Sequence, residues 1–228
     1  MANMITDRPL YLAVNYIYVI AVTNFHFILA NILFLLAFIF SDLTMENILL
    51  FYITLLPTGP SLAALFATMG KYVREKEVRP TIDFWIYYKK NFKPAFLYWI
   101  ITSTALMVLF IDIYYAEGFL AFFTPFFFVL CIGIFVILIY ALPILTRFEV
   151  KQKNLWVVSF YSIFRFIKTT ILNITTILSL ALIYYIAPGT IVWFFMSLAA
   201  YFIMFNMRKP FEIMELELTD QNKTASGG

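Results

Sequence analysis

The residues best placed to do chemistry form one short run, Leu56-Pro57-Thr58-Gly59-Pro60-Ser61, halfway along an apolar stretch. Each proline removes a backbone donor and crowds the preceding turn, costing about 3 kcal/mol inside an ordinary helix. Gly59 adds dihedral freedom. In hydrocarbon the freed carbonyls must find partners in protein or trapped water, so a break here lies against another helix or a cavity. The hydroxyls of Thr58 and Ser61 can donate to those carbonyls. Two readings stay open. One is a ligand site at a discontinuous helix, where Ser61 to Ala63 present a new helix N-terminus to an anion or a sugar hydroxyl. The other is a structural kink that lets helices pack. Pro143, just before Arg147 and Glu149, poses a similar choice between a kinked helix end and a docking surface for a cytoplasmic partner.

Other reactive groups are sparse. His26, the only histidine, has no carboxylate or cysteine at ligand spacing, so it reads as interfacial packing rather than a metal ligand. The single Cys131 excludes an internal disulfide and a cysteine-based metal cluster. Asn24, Asn31, Asn173, Thr102, Ser103, Thr104, Thr175 and Thr176 can bond between helices, typically for about 1 kcal/mol or less. No acid lies deep in an apolar run, since Asp112 and Glu117 fall at an outer edge. That argues against a carboxylate-driven proton or sodium transporter. Walker, nucleophile-elbow, His-Glu-x-x-His and dinucleotide motifs are absent from the sequence. The expectation is a non-enzymatic protein with no catalytic residue, metal or cofactor.

These residues need a membrane to position them. Hydrophobic residues make up 63% of the 228 and charged ones only 13%. Mean hydropathy is +0.89. Soluble domains carry about 25% charged residues, so lipid must solvate most of this surface. Six spans are expected. Leu10–Phe40 is divided into an interfacial helix over 9–22 and a first span over 23–40, with Thr23 and Asn24 as caps. The other spans cover 47–69, 94–113, 120–142, 169–186 and 190–206. This segmentation leaves all 16 Lys and Arg on one side, with acids alone in the opposite loops. By the positive-inside rule both termini are cytoplasmic, in an inner or plasma membrane. The net charge of +3 then reflects topology and anionic headgroups rather than nucleic acid. Met1–Arg8 does not read as a cleavable signal, and the Asn222-Lys223-Thr224 sequon is expected to be silent. Residues 1–220 form one transmembrane domain, and 221–228 a disordered tail or cloning remnant.

Two basic stretches read as amphipathic helices lying in the inner interface. In the first, Ile82, Trp85, Ile86 and Phe92 share one face. In the second, Trp156, Phe160, Ile163 and Ile167 do so, with Ser162 and Arg165 opposite. Lys90 and Lys93 recur as Arg165 and Lys168. With Arg8-Pro9 and Arg79-Pro80 opening successive units, the chain reads as three pseudo-repeated hairpins joined by interfacial linker helices.

Three stretches together resemble the bacterial YesL-like family, a domain of unknown function: Gly59-Pro60-Ser61-Leu62-Ala63-Ala64-Leu65, Asp83-Phe84-Trp85 through Asn91-Phe92-Lys93-Pro94-Ala95, and Leu142-Pro143-Ile144-Leu145-Thr146-Arg147-Phe148-Glu149. Thr146 stands where a small residue such as Ala is usual. The resemblance implies a small bacterial membrane protein, often encoded near carbohydrate ABC importers. It assigns no catalytic residue. The expected role is an accessory or scaffold protein of a carbohydrate uptake system. Its partner or headgroup face would comprise Asp83, Phe84, Trp85, Lys89, Lys90, Asn91, Phe92, Lys93, Arg147, Glu149, Arg165 and Lys168. Importer membrane subunits or further copies of the chain are the expected partners. The alternative is a small-solute transporter or channel through the break at Pro57–Pro60.

Overall fold

The computed structural model describes residues 9–226, and every secondary-structure element among them is helical. Arg8, expected to open the first repeat unit, lies outside the described residues, as do the side chains of the 222–224 sequon. The elements are α1 Pro9–Ala30, α2 Ile32–Phe40, α3 Ile48–Leu55, α4 Thr58–Glu75, α5 Pro80–Tyr114, α6 Thr124–Arg147, α7 Gln152–Arg165, α8 Ile167–Ile186, α9 Pro188–Ile191, α10 Phe195–Asn206 and α11 Arg208–Ser226. Backbone residues 221–226 continue α11.

α4 is the centre of the molecule. It packs against α1, α5, α6 and α10. Burial runs unbroken from Ala63 to Gly70, and Gly59, Pro60, Ser61, Tyr72 and Val73 are buried too. A helix covered on every side needs small residues wherever a neighbour comes close. Gly59, Ser61, Ala63, Ala64, Ala67 and Gly70 supply them. The outer helices turn large apolar side chains away from this core, among them Phe40, Phe119, Phe122, Tyr185 and Ile186. Exposed apolar surface on that scale calls for lipid rather than water.

Four helices are long and apolar enough to cross a membrane: Tyr11–Ala30, Pro80–Tyr114, Gly118–Arg147 and Ile167–Ile186. The pair Met45–Leu55 and Thr58–Glu75, bent by 43°, makes a fifth if it is one span. The expected count of six is therefore not reached by continuous helices. The last expected span is interrupted at Val192–Phe194. That leaves α10 with 12 residues, about 18 Å against a hydrocarbon core of roughly 30 Å.

Three other expected boundaries move. The helix runs straight through Thr23 and Asn24, where a division was expected. Thr23 Oγ1 bonds the Val19 carbonyl (2.7 Å) instead of capping. The interruption falls at Asn31. The interfacial helix over the first basic stretch does not exist as a separate element. It is the beginning of α5, one helix of 35 residues that continues through Pro94. α6 likewise continues through a buried Pro143 to Arg147, so no break marks that proline. The break at Pro57 appears as expected; the second basic helix is a separate element, but it ends at Arg165, and Ile167, expected on its apolar face, begins α8.

Gly59 gives the tightest helix contact a test. A Cβ there would lie 2.2 Å from Trp99 Cβ, an atom fixed to the α5 backbone. At Gly70 the clash is with the flexible methyl end of Met204 (2.4 Å). Gly59→Ala should therefore cost about 1–3 kcal/mol, and Gly70→Ala clearly less, by thermal unfolding in detergent. Equal losses would show that α4 and α5 are not held at this contact.

Candidate functional site

Two helix interruptions face each other. Pro57 takes away the N–H that would close on the Ile53 carbonyl, and Leu56 N–H reaches it instead (3.2 Å). The Leu55 carbonyl receives the Trp99 indole N–H at 3.0 Å. Across from this break, Asn31 leaves the helical conformation between α1 and α2. Its amide nitrogen donates to the Phe27 carbonyl and to Ser61 Oγ, both at 2.8 Å. Its amide oxygen accepts from Thr58 Oγ1 at 2.7 Å. Ser61 Oγ in turn donates to the Thr58 carbonyl at 2.9 Å. Pro57, Thr58, Gly59, Pro60 and Ser61 thus form a clamp between two kinked helices, with their hydroxyls engaged by protein.

The space beside the clamp is apolar. A cavity of about 700 Å³ opens between α2, α3, α5 and α6, walled by Phe34, Phe51, Leu55, Met107, Phe128 and Phe135. Thr58, Ser103 and Tyr52 reach its edge, but Tyr52 is hydrogen-bonded to Thr104 (2.7 Å) and Ser103 donates to the Trp99 carbonyl (2.6 Å). Cys131 lines the same cavity.

The expected basic face divides into engaged and free residues. Asp83 is buried. Its Oδ2 takes Lys71 Nζ at 3.0 Å and the Arg79 backbone N–H at 2.9 Å. That pins the start of α5 to the end of α4, across a turn in which Lys76 adopts a left-handed conformation (φ 60°). Phe84 is fully buried rather than turned to lipid, stacked near His26. His26 Nε2 is hydrogen-bonded to Thr81 Oγ1 (3.0 Å). Asn91 is buried and donates to the Tyr87 carbonyl. Trp85 is half-buried. Ile82, Ile86 and Phe92 are exposed, as the apolar face required. On α7 Phe160 faces outward, but Trp156 lies against buried Tyr98 (ring centroids 4.5 Å) and Ile163 packs on the core, so the expected apolar face does not turn to lipid as one; Ser159 and Ser162 are buried.

Arg147 and Arg165 are held by the chain's own tail. Arg147 Nε donates to Glu215 Oε1 at 2.6 Å, and Arg165 Nη1 to Glu217 Oε2 at 3.0 Å. The hydrogen bond from Arg165 holds the exposed Glu217 carboxyl below the usual carboxylate range. Lys89, Lys90, Lys93, Lys168 and Glu149 are exposed and make no ion pair among the described residues.

Several partners were hard to find from the sequence. Trp99 looks like a membrane-edge aromatic, yet it closes the break. Asn24, open to capping or to bonding between helices, does the second: it bridges the last interruption, donating to the Val192 carbonyl and accepting from Ser197 N–H, both at 3.1 Å. Tyr140 does the same at Phe166, reaching its carbonyl (3.3 Å) and Thr170 Oγ1 (2.7 Å).

Helices of this length and apolarity, around a core sealed by side-chain amides and hydroxyls, suggest an all-helical membrane protein. Residues 20–113 match the family model described as a protein of unknown function, DUF624. That match is consistent with the YesL-like resemblance and spans the clamp and nearly all of α5. No curated protein and no solved structure matches the chain.

Asn31 joins both breaks, so Asn31→Ala should cost about 1–2 kcal/mol, the range of a few hydrogen bonds between membrane helices. A change below a few tenths would show that the clamp contributes nothing to stability. The Glu217 contact also has a pH signature. A lowered pKa stabilises docking above the ordinary carboxylate range, and this stabilisation fades as pH falls through the lowered value. A spin label at Leu216→Cys, on a Cys131→Ala background, should become mobile only at acid pH. Mobility that does not vary with pH would remove Glu217 as the tether.

Proposed function

We propose that this protein is a non-enzymatic membrane scaffold that holds a partner through the α5 lysines. What carries the reading is the contrast within the basic residues. Lys71, Arg147 and Arg165 are paired internally, whereas Lys89, Lys90 and Lys93 stand exposed and unpaired beside Phe92. Unpaired bases next to exposed apolar side chains make a surface suited to an acidic protein segment or to anionic headgroups. A carbohydrate importer subunit is the partner that the YesL-like resemblance implies. The small-solute carrier is the weaker reading, because a carrier needs a polar passage and the space beside Pro57–Ser61 is apolar.

The same proposal takes α1 with α2, and α9 with α10, as single interrupted crossings. With α3–α4, α5, α6 and α8 that makes six spans in three hairpins, both termini cytoplasmic. Fusions of a cytoplasm-active and a periplasm-active reporter after Asp220 test the side: a C-terminus active only outside would reverse the topology. For the scaffold, native expression and gentle detergent extraction should recover a membrane partner. Exchange of Lys89, Lys90 and Lys93 for Gln should reduce it several-fold without lowering the unfolding temperature. Recovery unaffected by the exchange would move the docking surface elsewhere.

A further inference from the structure

At the end of the bundle where α4, α6 and α10 meet the tail helix, Arg74, Arg147 and Arg208 line a single pocket of about 310 Å³ with Glu212 and Glu215. Three guanidiniums and two carboxylates line it, a net charge of +1, and Glu75 acts on Arg74 from outside the lining. Only Arg147 has an ion pair. One oxygen of Glu215, Oε1, receives both its Nε (2.6 Å) and its Nη2 (2.5 Å). Arg74 and Arg208 have no carboxylate within ion-pair distance among the described residues. Arg208 lies over the Phe205 ring (3.9 Å) and donates Nε to the Phe205 carbonyl (3.3 Å), which fixes its plane. Gly70 leaves space beside Arg74, since a Cβ there would come within 3.3 Å of Arg74 Nη1.

We propose that this pocket binds a phosphate group, carried by an anionic lipid headgroup or a free phosphate, and that Glu215 is its internal competitor. Guanidinium forks match the several oxygens of a phosphate better than those of one carboxylate, and the three that line this pocket exceed what Glu215 can satisfy. The pocket lies where apolar helices end, at the level of a headgroup. The tail helix that carries Glu215 is anchored by Phe211 and by the Arg165–Glu217 pair. Phe211 is buried, but Ile213, Leu216 and Leu218 are exposed. A phosphate arriving at Arg74 and Arg208 would take Arg147 from Glu215 and loosen α11. The site is separate from the α5 lysines and stands whether or not a partner docks there.

The test uses the full chain in uncharged detergent, titrated with inorganic phosphate, with dihexanoyl phosphatidic acid, and with uncharged dihexanoyl glycerol. Saturable binding is expected for a phosphate-bearing probe and not for the uncharged one. Binding by inorganic phosphate identifies a free-phosphate site; binding by phosphatidic acid alone identifies a headgroup site. Arg74→Gln and Arg208→Gln, which break no ion pair, should each weaken it about tenfold or more. Glu215→Gln should strengthen it. Absence of binding by both phosphate probes, wild-type affinity in both arginine variants, or unimproved affinity in Glu215→Gln overturns the proposal.

Discussion

A backbone group freed inside an apolar environment has nowhere to go but to another part of the protein. Most of this architecture follows from that constraint. The chain interrupts its helices near Asn31, Pro57, Phe166 and Val192–Phe194. At each place a side chain from a neighbouring helix or the next turn supplies polar contacts. Asn31, Thr58 and Ser61 close two interruptions against each other, with Trp99 on the Leu55 carbonyl. Asn24 spans the last one, and Tyr140 with Thr170 the one at Phe166. The polar residues of the apolar segments are therefore mainly structural closures, which explains how so few of them suffice.

Close packing around α4 is the second consequence. A helix whose neighbours supply its hydrogen bonds must let them approach, and small residues on all its sides make that possible. The bulk that fills the core comes from the surrounding helices, through Trp99, Tyr98, Tyr140 and Met204, and from Leu65, Met69 and Tyr72 of α4 itself. On α7 the usual arrangement is inverted. Ser159 and Ser162 face inward, while Phe160 and Phe164 face out. That suits a helix whose outer solvent is lipid.

Much of this was legible in the sequence, and the failures have physical causes. The Pro57–Pro60 break could be read because two missing donors within four residues cannot be absorbed by a straight helix. Pro94 and Pro143 misled in the opposite direction. A single proline at a helix boundary looks like a stop, but packing held both helices continuous. The division at Thr23–Asn24 failed because Asn and Thr in a hydrophobic run suit capping and interhelical bonding equally well; only the position of Val192 decides. Arg147 and Arg165 looked free because their partners, Glu215 and Glu217, lie 68 and 52 residues away, and nothing in the spacing of the charges announces the pairing. Phe84 stands in a run of aromatics that reads as one interfacial stretch, yet the packing of α5 against α4 and α1 buries it.

The unbroken length of α5 gives the molecule a mechanical property. From Trp99 to Lys89 the helix climbs about 15 Å at 1.5 Å per residue. The contact of Trp99 with Gly59 holds it like a fulcrum, and the Asp83 tether to Lys71 restrains the same arm farther along. The helix stays continuous through Pro94 between them, so a tilt of about 10° at Trp99 would carry Lys89 sideways by about 2.5 Å. A load on the lysines would accordingly be felt at the clamp as torque, and a rearranged clamp would re-aim the lysines.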